Sequence, residues 1–184
     1  MARGLWPSLK PEAGIDMDPK LTVYLVRHAI AAERGEDWPD DSKRPLTSDG
    51  VTRFKEAARG LARMEVAVDA VLTSPLVRAR QTAEILAAAL PGNPPIVDMP
   101  ALAPGAALKT VVDELGKQGR RRRLALVGHE PGIGELTGRL VGAANPIPFK
   151  KGAACRIDFN GPPSEGPGML CWFAPPRMLR RLGK

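Results

Sequence analysis

Short apolar runs separated by stretches of helical composition constrain this chain more than any other feature. Leu21–Val26 (LTVYLV), Asp69–Thr73 (DAVLT) and Arg123–Gly128 (RLALVG) have strand length and no regular polar alternation. Such strands are buried on both faces, which implies a mainly parallel sheet between helices. The stretches between them read as helices. Thr47 or Ser48 opens one that runs to about Met64. Ser74 and Pro75 open the clearest one, as N-cap and first helical residue. Two more are expected over 105–119 and from about Gly132 to Leu140. Pro94–Pro100 reads as a short edge strand because prolines flank it. Residues 153–159 and 168–174 read as strands joined by a Gly/Pro loop, able to pair as a hairpin. The expected fold is an α/β three-layer sandwich with a mainly parallel central sheet. A length of 184 residues suits one domain. Residues 1–20 read as an N-terminal extension ahead of a domain over 21–184, and Met17 is a possible alternative start.

Open sheets of this kind bind ligands beyond the carboxyl ends of their strands. Arg27 and His28 lie just past the first run. Ser74 and Arg78 lie just past the second, and His129 lies just past the third, in ALVGHEPG. Both histidines of the chain and two arginines therefore reach one edge. Helix N-termini add backbone N–H donors there. A guanidinium fork fits a phosphate, an oriented neutral imidazole can attack phosphorus, and a second one can donate to oxygens as charge develops. Phosphoryl transfer through a phosphohistidine is the chemistry that fits.

A net charge of +7 favours anionic partners without choosing among them. The arginine run Arg120–Arg123 and the pair Lys150–Lys151 have no interleaved aromatics, so nucleic acid is not expected. Two histidines without a spaced acidic cluster make a poor metal shell, and neither metal nor cofactor is expected. Cys155 and Cys171 form no disulfide framework and read as small interior residues in a reducing compartment. The C-x5-R spacing from Cys171 to Arg177 is rejected as a phosphate loop, because Pro175 and Pro176 have no N–H to offer. No apolar run approaches a membrane span and the first twenty residues lack a secretory pattern, so a cytoplasmic location is expected.

VRHA (26–29), SPLVRARQTAEIL (74–86) and VGHEPG (127–132) resemble the histidine phosphatase superfamily. RPLTSDG (44–50) and ALAPGA (101–106) resemble its short SixA-type branch of phosphohistidine phosphatases. The resemblance covers about Leu21 to Ala174. It implies a phosphoglycerate-mutase-like sandwich without the large helical insertion. It further implies that His28 is the phosphorylated nucleophile, that Arg27 and Arg78 clamp the phosphate, and that His129 is the second histidine there. Arg44 is a candidate substrate contact, and Ser74 a weaker one. Ala29 stands where the superfamily often has Gly. The acidic proton donor of larger relatives has no counterpart, and Asp37, Asp40, Asp41 and Glu130 stay open as candidates. The expected activity is metal-independent removal of a phosphoryl group, most naturally from a phosphohistidine on a protein. Hydrolysis of small phosphoesters or nucleotides, and a non-catalytic phosphate-binding module, are the alternatives. The short chain leads one to expect a shallow, open pocket.

Overall fold

The computed structural model describes residues 19–184. The extension assigned to 1–20 lies almost wholly outside them. One six-stranded sheet runs through the molecule in the order β3-β2-β4-β1-β5-β6. Its strands are β1 (Leu21–Arg27), β2 (Ala70–Thr73), β3 (Ile96–Asp98), β4 (Arg123–Gly128), β5 (Ala154–Phe159) and β6 (Met169–Ala174). The first four are mutually parallel. The hairpin β5–β6 adds to β1 antiparallel. Helices α1 (Ser48–Arg63), α2 (Val77–Ala89) and α5 (Pro176–Leu182) belong to the core on one face. Helices α3 (Leu108–Gly116) and α4 (Gly132–Leu140) cover the other. The three-layer sandwich expected from the strand pattern is the observed one, and the described residues hold no large helical insertion.

Strands β2, β4 and β1 lie side by side because their side chains are buried on both faces. Val23, Leu25, Leu72, Leu124 and Leu126 pack towards α3 and α4. Tyr24, Val26, Val71, Ala125 and Val127 pack towards α1 and α2. The register sets Arg27 opposite Gly128 and Thr73 opposite Val127, which aligns three carboxyl ends at one edge. At the other edge Arg123 stands opposite Thr22. The arginine run 120–123 rims a cleft there with Asp69 and Arg156. The Asp69 carboxylate accepts the backbone N–H groups of Arg122 and Arg123 and so closes this turn.

Helix α1 begins as its cap predicts, with Thr47 Oγ1 accepting the Gly50 N–H at 2.9 Å. Its glycines are close-approach positions. A Cβ on Gly60 would collide with the Leu179 carbonyl oxygen of α5. Helix α5 is absent from the sequence reading. Its seven residues form because Pro176 begins it and buried Leu179 anchors it on α1.

Two expectations are corrected. Ser74 is not the N-cap of α2, which starts at Val77 after Leu76. The Ser74 N–H still bonds Val127 O at 3.0 Å and so continues the sheet. Cys171 is not interior. It is exposed on the outer strand β6, whereas Cys155 is buried.

Candidate active site

The edge formed by β2, β4 and β1 gathers the four expected residues. His28 follows β1 and His129 follows β4, and their ring centroids lie 5.0 Å apart. His28 Nδ1 lies 2.7 Å from the Ala29 carbonyl oxygen. A carbonyl only accepts, so Nδ1 carries the proton and Nε2 keeps its lone pair. The Ala29 N–H donates to Thr82 Oγ1 at 3.1 Å, and Thr82 donates to the Arg78 carbonyl at 2.7 Å. Helix α2 thus holds the residue after His28, while the His28 N–H donates to the Gly128 carbonyl of β4 at 3.0 Å.

Arg27 extends from the last residue of β1 and donates Nη1 to the Phe149 carbonyl. Glu130 Oε1 accepts the Phe149 N–H and holds that loop in place. Arg78 comes from the first turn of α2, where a cation opposes the helix dipole. The conflict is resolved by a carboxylate: Arg78 donates Nη2 to Asp41 Oδ2 at 2.9 Å and Nη1 to the Asp41 carbonyl at 2.7 Å. Asp41 Oδ1 also accepts Nε of Arg44 and Nε of Arg34. Arg44 therefore joins the site through Asp41, and its Nη1 donates to the Ala32 carbonyl. Ser74 lies beneath the second histidine, with its Oγ 2.8 Å from His129 Nε2.

The expectation of an open, shallow pocket does not hold at these side chains. Arg78 is 2%, His129 5% and His28 6% exposed. The segment 32–44 folds back onto Arg78, tied by the Arg44 and Arg78 bonds and by an Ala31–Leu46 bridge. A cavity of about 270 Å³ opens beside His129, lined among others by Leu102, Ala103, Pro104, Leu108 and Pro131.

Burial sets the electrostatics. It depresses the His28 pKa to about 4, and the charges of Arg78, Arg27 and Lys151 push the same way against the Ala29 bond. Burial also takes His129 down to about 3, assisted by His28 and Arg78. Both rings are neutral at pH 7. Three buried polar atoms have no partner among the described residues: Arg27 Nε, Arg78 Nε and His129 Nδ1. All three belong to the four residues just described. An unpaired buried polar atom is costly, and all three lie on this one group of two arginines and a histidine.

The four candidate acids are also placed. Asp41 binds three guanidiniums, and these charges hold its carboxyl below the usual range against burial. Asp40 accepts from the Ser42 N–H and hydroxyl, which lowers its pKa. Glu130 accepts from Phe149, and Asp37 is exposed. Sequence reasoning missed Thr82 and the Phe149 carbonyl, whose roles depend on packing. It also missed Lys151, which it treated only as half of a basic pair. The C-x5-R spacing stays rejected: Cys171 is exposed on the outer strand, and partial desolvation together with the neighbouring Asp158 carboxylate raises its thiol pKa.

Residues 23–103 match the family model of the histidine phosphatase superfamily, branch 1. A curated relative named phosphohistidine phosphatase SixA, from Escherichia coli K12, is 28% identical over 163 residues. The match spans 87% of this chain and 97% of that protein. The chain belongs to the histidine phosphatase superfamily, in its SixA-type branch. This superfamily assignment agrees with a solved structure of the protein histidine phosphatase SixA complexed with tungstate. That structure superposes with a TM-score of 0.76 at 26% identity, covering 85% of this chain and 98% of the other. An uncharacterised protein of a Picosynechococcus strain is 44% identical over 117 residues, 62% of this chain and 70% of its own. The layers and sheet are those of the phosphoglycerate-mutase-like fold. Among the described residues no helix is long and apolar enough to cross a membrane.

Proposed function

We propose that this histidine phosphatase works through a phosphohistidine on His28 and that its substrate is a phosphohistidine on a protein. The observation that carries the mechanism is the paired neutral imidazoles flanked by Arg27 and Arg78, whose buried Nε atoms have no partner among the described residues. The Nε2 lone pair of His28 forms a P–N bond as the bond to the leaving group breaks. Arg27 and Arg78 hold the non-bridging oxygens, and His129 supports the charge that develops on them. Water then attacks phospho-His28, inorganic phosphate leaves with the water oxygen, and the Nε2 lone pair is restored. Arg44 supports the clamp through Asp41. No step calls on a metal ion.

The substrate class rests on where the four candidate acids lie. Asp40, Asp41 and Glu130 are committed to bonds within the protein, and Asp37 points to solvent. An alkoxide is a poor leaving group and needs a proton from a positioned acid. The imidazole of a phosphohistidine needs far less help. The name carried by the curated SixA relative agrees with this reading. The two free cysteines fit a cytoplasmic setting. The cavity beside His129 favours a second reading, a phosphatase of small phosphoesters whose organic group fills it.

Phosphate release in EDTA from a phosphohistidine-bearing protein and from an aryl phosphate tests these readings. Wild type is expected to release phosphate from phosphohistidine, and His28→Ala to lose at least about a thousandfold. Release from the aryl phosphate alone would move the substrate to small phosphoesters. Unchanged release by His28→Ala would remove His28 as nucleophile. Binding of phosphate without turnover of either substrate would support a binding module.

A further inference from the structure

We propose that Ser74 is a positioning residue that fixes the tautomer of His129, placing the ring proton on Nδ1. This rests on the phosphatase reading for its purpose, but not for its geometry. Ser74 is fully buried at the end of β2. Its hydroxyl has two neighbours among the described residues. The Leu76 N–H lies 3.3 Å from Oγ and can only donate to it. His129 Nε2 lies 2.8 Å away and can act either way. A hydroxyl has one proton to give and two lone pairs. If Nε2 carried the imidazole proton, Oγ would accept twice, and the hydroxyl proton would be buried with no acceptor. The satisfied arrangement has Ser74 donating to Nε2. A neutral imidazole then holds its proton on Nδ1, the buried atom of His129 that no protein group engages.

The two histidines are thereby set in the same tautomer by different means. His28 is held by a carbonyl at its Nδ1, which frees Nε2 to attack. His129 is held by a hydroxyl at its Nε2, which keeps Nδ1–H as a donor. The first ring supplies a lone pair and the second a proton donor beside it, with neither ring charged. The short connection from β2 to α2 makes this possible. Ser74 leaves the sheet at Val127 with its hydroxyl on His129, and the helix starts only at Val77.

The direct test is the protonation pattern of the imidazole nitrogens, read by NMR on wild-type protein labelled with 15N-histidine at pH 7. With two histidines in the chain, His28→Gln assigns the signals by subtraction. The expected result is a protonated Nδ1 and an unprotonated Nε2 on His129. A protonated Nε2 would overturn the proposal. In Ser74→Ala the His129 Nδ1–H population is expected to fall. The kcat should drop at least about tenfold with KM changed less than about threefold. Ser74→Thr, which keeps a hydroxyl, should recover both. A folded Ser74→Ala that keeps full kcat and the same tautomer would also overturn it. The NMR readout needs no turnover, so its failure is distinct from failure of the phosphatase reading.

Discussion

Neutral histidines at pH 7 have a thermodynamic consequence. The unfolded chain binds protons on His28 and His129 near the ordinary value of about 6.5. The folded chain binds them only near 4 and 3. Between these limits the unfolded state holds more protons, so stability is fully present above about pH 6.5 and falls as pH drops through the window. Each histidine should contribute a loss of up to about 1.4 kcal/mol per pH unit there. Urea midpoints at pH 7, 6 and 5 should therefore decline steadily. In the double variant His28→Gln/His129→Gln the decline should shrink, and equal slopes for both proteins would contradict the assigned burial. Identity and neighbourhood in sequence were enough to select Arg27, His28, Arg78 and His129, because each sits at a strand end or one turn beyond it. Asp41 was not selectable that way. Its hold on Arg78 spans 37 residues and depends on how segment 32–44 folds back.

At the scale of elements, the glycines of α1 show how tightly the layers are set. Gly60 lies where α1 meets the backbone of α5, and a methyl group there would collide with the Leu179 carbonyl. Backbone is less able to give than a side-chain tip. Gly60→Ala should therefore cost about 1–3 kcal/mol despite the better helix propensity of alanine, seen as a fall in the urea midpoint. A stabilised protein would show that α5 moves aside without loss. Strands β1, β2 and β4 were legible as continuous apolar runs, β3 by its flanking prolines, and the four longer helices by the helical composition between them. Helix α5 was not, since seven residues with one fully buried side chain carry little pattern and its formation depends on the α1 surface. The beginning of α2 was misread for a related reason. Ser-Pro is a strong helix-start signal, but here a sheet bond to Val127 and the contact with His129 claim Ser74 first.

For the whole molecule, the parallel sheet separates two cationic regions. One surrounds the histidines at the carboxyl ends of β1 and β4, and the other is the arginine-rimmed cleft at their amino ends. Strand β1 has seven residues, a span of roughly 20 Å. Mobile salt ions damp an electric field over about 8 Å at physiological ionic strength. An anion diffusing towards the histidines is then guided by the nearby cations and hardly feels the far ones. Arg120→Gln/Arg121→Gln/Arg122→Gln should change kcat/KM by less than about twofold at 0.15 M salt. In dilute buffer, where the damping length rises to about 30 Å at 0.01 M, the same change should slow encounter measurably. The length of one strand thus decides at which ionic strength the two ends of this protein begin to act as a single charge.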